Sequence, residues 1–254
     1  MSDKFFYGKG RVSLAELDAS TGVPGAWRYI GDVSALSPKL TTEQVKHVES
    51  NSGQNIEVVN FDISKSMAID ATLHSLDADN LAMMLRGAVT TTAGGTASAE
   101  SLGTTVAVGD EIYLANPGVS DLVITDSTGT PLTLTEGTDY DIDAAAGRVT
   151  IKNVGTYMQP FKAAYTYAAR KTVSIFTTAQ KYYALRYDGL DLANSNAPVR
   201  LDLYKVSAGV LQELAMISTG NDVAGMQVTF AALGDQSKSP TSGLGQFGSI
   251  TRVG

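Results

Sequence analysis

Between Val59 and His74 the chain alternates between apolar and polar residues, and this constrains its fold more than any other feature. The odd positions read Val59, Phe61, Ile63, Lys65, Met67, Ile69, Ala71 and Leu73. The even positions read Asn60, Asp62, Ser64, Ser66, Ala68, Asp70, Thr72 and His74. Successive side chains of a strand point to opposite faces, so this pattern predicts a β-strand with a buried face, broken by Lys65, and a wet face, broken by Ala68. A typical strand has about 5–6 residues. At ~3.3 Å per residue this one reaches ~50 Å, a length that suits a strand running beyond its own domain into an assembly.

Other elements gather around it. Residues 11–17 and 27–36 are expected strands, separated by a turn at Gly22, Pro24 and Gly25. Residues 37–55 are polar without strong periodicity and read as a long excursion, either a loop or an extended hairpin. After the long strand, Asp77 is a helix N-cap candidate; Leu81, Met84 and Leu85 fall at i, i+3, i+4, and Gly87 stands where a helix ends. Residues 88–99 (AVTTTAGGTASA) read as a linker. Residues 101–167 form a self-consistent β segment with turns at Ser127–Gly129 and Ala144–Gly147, and its acids outnumber its bases. Strands resume in 172–178, 181–189, 199–208 and 225–233, with 211–217 open between strand and helix. The glycine- and serine-rich tail, 233–254, reads as a flexible arm.

Composition narrows the function classes. The 254 residues include no cysteine and two histidines, His47 and His74. Disulfides, thiolate metal sites and a cysteine nucleophile are therefore excluded. Hydrophobic residues make up 43% of the chain, enough for a sizeable core. No apolar run is long enough to span a bilayer, so no membrane insertion is expected. The start, MSDKFFYGKGRVSL, does not read as a signal peptide, which points to folding in a cytoplasm. A net charge of -7 disfavours ordinary nucleic-acid binding, which uses a basic face.

The candidate site motifs are weak. Gly243, Gly245 and Gly248 match GxGxxG, but no strand precedes them and no helix follows. Asp139, Asp141 and Asp143 begin like a calcium loop, yet positions 6 and 12 are Ala144 and Thr150. A solvated hairpin arm is the expected reading, with a cation the alternative. Tyr182, Tyr183, Tyr187 and Arg186 could make a stacking platform, although tyrosines on a half-buried strand are commoner. No nucleophile–base pair, GxSxG, Walker loop or HExxH is present, so no catalytic residue and no cofactor are expected.

The uninterrupted run of WRYIGDVSALSPKLTTEQVKHVES, VVNFDISKSMAIDATLHSL and DADNLAMMLRG, followed by further strands and a loose tail, resembles the major tail (tail tube) protein of long-tailed bacteriophages. The resemblance covers about residues 5–90 and 170–232 and rests on the order of elements. It implies a mainly β, tail-tube-type sandwich or barrel with one short helix, a long extended hairpin and an inserted small β domain. Its core would be 1–90 with 170–232; the insertion, 101–167, would lie on the exterior. It further implies a homo-hexamer that stacks into a tube in the virion tail and is assembled in the host cytoplasm. The expected partners are the tape-measure, tail-terminator and tail-tip proteins, and double-stranded DNA passes through non-specifically. Asn60, Asp62, Ser64, Ser66 and Asp70 would face the lumen. Phe5, Phe6, Tyr7, Lys39, Glu43, Lys46 and Glu49 would make contacts between subunits or rings. A type VI secretion or pyocin-like tube subunit is the related alternative. A carbohydrate- or receptor-binding virion module is the competing class.

Overall fold

A computed structural model describes residues 5–217, 223–241 and 244–253. Among them are sixteen strands and one helix. The chain divides into two compact units, residues 1–89 with 173–254 and residues 90–172.

The first unit is built on an antiparallel sheet. It comprises β1 (Gly8–Leu17), β2 (Pro24–Tyr29), β3 (Val33–Val48), β4 (Glu57–Leu73), β13 (Tyr182–Asp191), β14 (Ala197–Ala208), β15 (Met226–Ala232) and β16 (Gly248–Arg252). The order is β2-β1-β13-β14-β15-β4-β3, with β16 also on β14. β2 and β3 end that order, so the sheet is open. One face buries Leu14 of β1, Leu185 of β13, Leu203 and Val206 of β14, Phe230 of β15 and Ile69 of β4 as a single core. Met83 and Met84 of the helix α1 (Ala78–Leu85) pack into that core. Asn80, also buried on α1, donates to the carbonyls of Ile30 and Ser75 and accepts from Arg28, which ties the helix to the start of the sheet.

The second unit holds two small antiparallel sheets. One is β7 (Glu111–Tyr113), β10 (Arg148–Ile151) and β9 (Tyr140–Asp143); the other is β6 (Gly95–Ser101), β11 (Lys162–Tyr167) and β8 (Val119–Thr125). They share a core that includes Ile124, Leu134, Tyr140, Val149, Ile151 and Phe161. The paired strands β5 (Val89–Thr92) and β12 (Arg170–Val173) carry the chain out of the first unit and back.

Several expectations are corrected. The strand expected over 27–36 is two strands, because Gly31 turns the chain at φ +86° where an added Cβ would lie 2.2 Å from Ser75 Cβ. Of the two readings of the 37–55 excursion, the extended hairpin is the one found: β3 runs to Val48 and pairs with β4 along its length. The 88–99 segment is not a linker, since its small residues form β5 and part of β6, the latter paired with β11. Residues 211–217 are neither strand nor helix, and 174–178 leave the sheet to wrap the end of α1. The helix ends with Arg86, not glycine, in the left-handed region. Gly87 is reserved for a close approach, because a Cβ there would fall 1.7 Å from the Ser174 carbonyl oxygen. The tail expected to be a loose arm carries β16, whose residues pair with Val199–Leu203 of β14. A tail poor in apolar side chains is held here by ladder hydrogen bonds, which composition does not reveal. Gly243 of the GxGxxG match lies outside the described residues, and Gly248 opens a strand.

Candidate assembly ribbon

The long strand and its hairpin partner form the most distinctive feature of the first unit. β15 accompanies β4 only over Met67–Leu73. From residue 57 to 66, β4 pairs with β3 alone, and every one of those residues is exposed. Beyond the sheet two bulges interrupt the pairing of the ribbon, between Glu43 and Gln44 and between His47 and Val48. Each leaves an extra residue of β4, first Ile63 and then Val58, without a partner in β3. Directly opposed residues share a face, so Val45 lies beside Phe61 and His47 beside Val59, whereas Leu40, five positions from Val45, lies beside Met67 on the other face of β3.

The odd positions of β4 behave differently along its length. Near the sheet, Ile69, Ala71 and Leu73 are buried as the alternation predicts. Farther out, Val59 is 42% exposed, Phe61 54% and Ile63 57%, so the expectation that the whole odd face is buried is corrected. The sheet and helix core of one copy end before these residues, and no other described strand reaches them.

Of the residues expected to line a lumen, Asn60 lies opposite Lys46, Asp62 opposite Gln44, Ser64 opposite Glu43, Ser66 opposite Thr41 and Asp70 opposite Ser37, and Lys39 lies opposite Ala68. Glu43 and Lys46, expected at contacts between copies, therefore stand beside residues expected to face the lumen. Gln44 Nε2 donates to Asp62 at 3.0 Å and Ser64 Oγ to Glu43 at 3.0 Å. Lys39 Nζ lies 2.6 Å from Asp70, and with the Thr229 hydroxyl it holds that carboxyl below its ordinary range. Glu43, Asp62 and Asp70 against Lys39 and Lys46 leave this group of side chains only slightly acidic. At the ribbon end, Glu49 accepts from the Ser52 hydroxyl and from the backbone of Ser52 and Asn51, which closes the turn and lowers its pKa.

The aromatic arm is exposed, Phe5 at 73%, Phe6 at 61% and Tyr7 at 57%. It is anchored just beside those rings: the Tyr7 N–H donates to Asp191 Oδ1 at 3.1 Å, and Arg252 of β16 pairs with the other oxygen at 2.9 Å. The fully buried Asp191 thus fastens both ends of the described chain.

Other motifs resolve into structural roles. Tyr183 is buried, Tyr187 packs against the core, and exposed Tyr182 lies under Lys205 at 4.4 Å, so the tyrosines form no common platform. Arg186 instead pairs with Asp202 at 2.6 Å and stacks over Trp27 at 4.7 Å, a partner the spacing of the tyrosines did not suggest. His74 is tied to Ser34 at 2.8 Å, and His47 stands on the ribbon opposite Val59. Among the described residues no group of His, Asp and Glu is placed to hold a metal ion. No helix among them is long and apolar enough to cross a membrane.

The three aspartates of the second unit part company. Asp141 pairs with Lys152 and Asp143 with Arg148 across the hairpin. Asp139 does not lie on a solvated arm: it is 3% exposed and accepts from the Thr135 N–H, the Asn153 amide and the Tyr157 hydroxyl. The Thr135 hydrogen bond, aided by Asn153 and Tyr157, outweighs burial and lowers its pKa. A lowered carboxyl pKa contributes stability that is complete above the unfolded value of about 4 and is lost as pH falls through the folded value. Acid titration of the Asp139→Asn variant, followed by circular dichroism, is expected to show lower stability at neutral pH and a shallower acid limb. An acid limb as steep as that of the parent chain would remove Asp139 as a source of that limb.

A family model described as Protein of unknown function UCP028589 matches residues 5–251. The chain belongs to that family. The match spans both units, so the insertion and the sheet around it are part of one family pattern. No curated protein matches the chain.

Proposed function

We propose that this chain is the structural subunit of a phage tail tube, with a tail-tube-type β fold that closes into hexameric rings and stacks into a tube through which double-stranded DNA passes during ejection. The observation that carries the reading is the ribbon of β3 and β4. A two-stranded ribbon is marginal in water by itself, and this one leaves Phe61, Ile63 and Val59 uncovered. A long unpaired edge such as β3 is also an invitation to pair with another chain. Both problems are relieved together when copies meet: the apolar side chains find a cover, and the open edges β2 and β3 find neighbours.

In this reading Asn60, Asp62, Ser64, Ser66 and Asp70 line the lumen. Such a wall presents few cations to phosphate and lets DNA slide, the reverse of a basic binding groove. The tape-measure protein occupies the lumen during assembly, and terminator and tip proteins close the ends. The aromatic arm and the ribbon end contact neighbouring copies, and the 90–172 unit decorates the exterior. Negative-stain electron microscopy and sedimentation of the concentrated full chain test the reading. Rings or stacked tubes are expected; a chain that stays monomeric at every concentration and salt condition overturns it.

A further inference from the structure

Asp191 ends β13 and is the meeting point of two segments that have little packing of their own. The aromatic arm leaves Phe5, Phe6 and Tyr7 exposed, and the backbone of Phe5 and Tyr7 bonds to residues 191–194. The Tyr7 N–H donates to Asp191 Oδ1 at 3.1 Å, the Leu192 N–H donates to the Tyr7 carbonyl at 2.9 Å, and the Asn194 amide donates to the Phe5 carbonyl. The second segment is β16. It pairs with β14 alone, and Ile250 within it and Val253 just beyond it are exposed. Its ladder is therefore supported by little side-chain burial, and Arg252 is the side chain that ties it inward.

The carboxylate between them is fully buried and divides its acceptors between both segments. Oδ1 accepts from the Tyr7 N–H and from the Ala193 N–H at 3.2 Å. Oδ2 accepts from the Asn194 amide at 2.6 Å and from Arg252 Nη2 at 2.9 Å. Arg252 is the one cation paired with it among the described residues. Removing one partner of a buried pair leaves an uncompensated charge, which is strongly unfavourable until water reaches it. If β16 lifts, Asp191 is left in that state and regains water only where a neighbour gives way; the Tyr7 backbone belongs to a segment with little burial to lose. If the arm lifts instead, Oδ1 loses a donor, and water entering beside the ion pair weakens its attraction.

We propose that Asp191 is a latch that makes the aromatic arm and β16 dock cooperatively, so that release of either segment loosens the other. The consequence is a conformational device. Whatever draws the arm away also frees β16 and uncovers the Val199–Leu203 edge of β14, to which β16 is paired. An uncovered edge of this kind is a template for another strand. The latch is a property of the single chain and does not depend on the assembly reading above.

The test uses the full chain, unassembled. Arm release is read as chymotryptic cleavage after Phe5, Phe6 and Tyr7, which follows the population of the open form. Release of β16 is read as amide hydrogen exchange over 248–252. Arg252→Gln keeps a donor but removes the charge, and it is expected to speed arm cleavage roughly tenfold, the equivalent of about 1.4 kcal/mol, although its bond is to Asp191 and not to the arm. Tyr7→Pro removes the N–H that Asp191 accepts and is expected to speed exchange of β16 by a similar factor. The melting of the first unit, followed by Trp27 fluorescence, is expected to stay at the parental temperature. In an Asp191→Asn background Arg252→Gln is expected to add nothing further to arm cleavage. Parental arm cleavage in Arg252→Gln overturns the proposal. So does a transmitted effect that persists undiminished in the Asp191→Asn background, and so does a Trp27 transition that falls in step, since that is global loosening. If Asp191→Asn prevents folding, the two single substitutions decide: effects transmitted in both directions support the latch, and effects confined to the altered segment overturn it.

Discussion

Replacing Phe61 and Ile63 together by aspartate is expected to leave the unassembled chain folded and to abolish tube formation. Both side chains are more than half exposed in one copy, and they lie on the stretch of β4 that pairs only with β3. Polar substitution at such exposed sites usually shifts stability by no more than about 0.5 kcal/mol. Covering the same side chains in an assembly is worth about 1.5–3 kcal/mol each, and a carboxylate placed there would have to lose its water without a partner. Two such losses raise the assembly concentration by roughly 100-fold or more, at about 1.4 kcal/mol per tenfold. Sedimentation reads the assembly, and circular dichroism reads the fold. Alanine at the polar positions Asn60 and Ser64 of the same strand is the control and is expected to leave tube yield close to that of the parent. Normal tubes from the aspartate pair would show that these apolar side chains of the ribbon are not a contact between copies. Collapse of the monomer would show that they are covered within one copy.

Phe161→Ala is expected to melt the second unit and leave the first one standing. Phe161 is 1% exposed at the centre of the smaller core, with Tyr157 edge-on at a centroid distance of 6.3 Å. Truncating a buried phenylalanine costs about 3–5 kcal/mol. A domain as short as residues 90–172 buries proportionally less surface than a larger one and has little stability to spare. The single tryptophan, Trp27, belongs to the first unit and reports it separately by fluorescence. Calorimetry is expected to show one transition shifted sharply down, with the Trp27 transition close to its parental temperature. One cooperative transition that moves as a whole would contradict the division into two units.

The second core also shows where spacing in the chain misleads. Asp139, Asp141 and Asp143 look equivalent at a period of two, but Asp139 precedes β9 and turns inward to collect three donors, whereas the other two pair with basic residues across the hairpin. Which carboxylate becomes the buried acceptor depends on where the strand begins, and that is decided by the packing of Tyr140 and Ile151. Arg86 is a similar case. A basic residue before glycine at a helix end reads as ordinary C-terminal chemistry. Only the approach of the 174–178 segment, whose N–H groups take up the Leu85 and Arg86 carbonyls, goes with the left-handed conformation one residue earlier, at Arg86.

What the sequence determined by itself is the local periodicity: the long alternating strand, the short amphipathic helix after Asp77 and the predominance of β-structure. These follow from which side chains can share a face, and that is set by the chain's own geometry. What only the tertiary structure decided is which parts of those faces are covered. The same alternation runs from Val59 to Leu73, yet β15 and the core shelter it only over Met67–Leu73. The bulge between Glu43 and Gln44 then aligns Val45 with Phe61 on the uncovered part. Alternation specifies a face, but burial depends on the neighbour that meets it, and for the outer ribbon no such neighbour is found among the described residues of one copy.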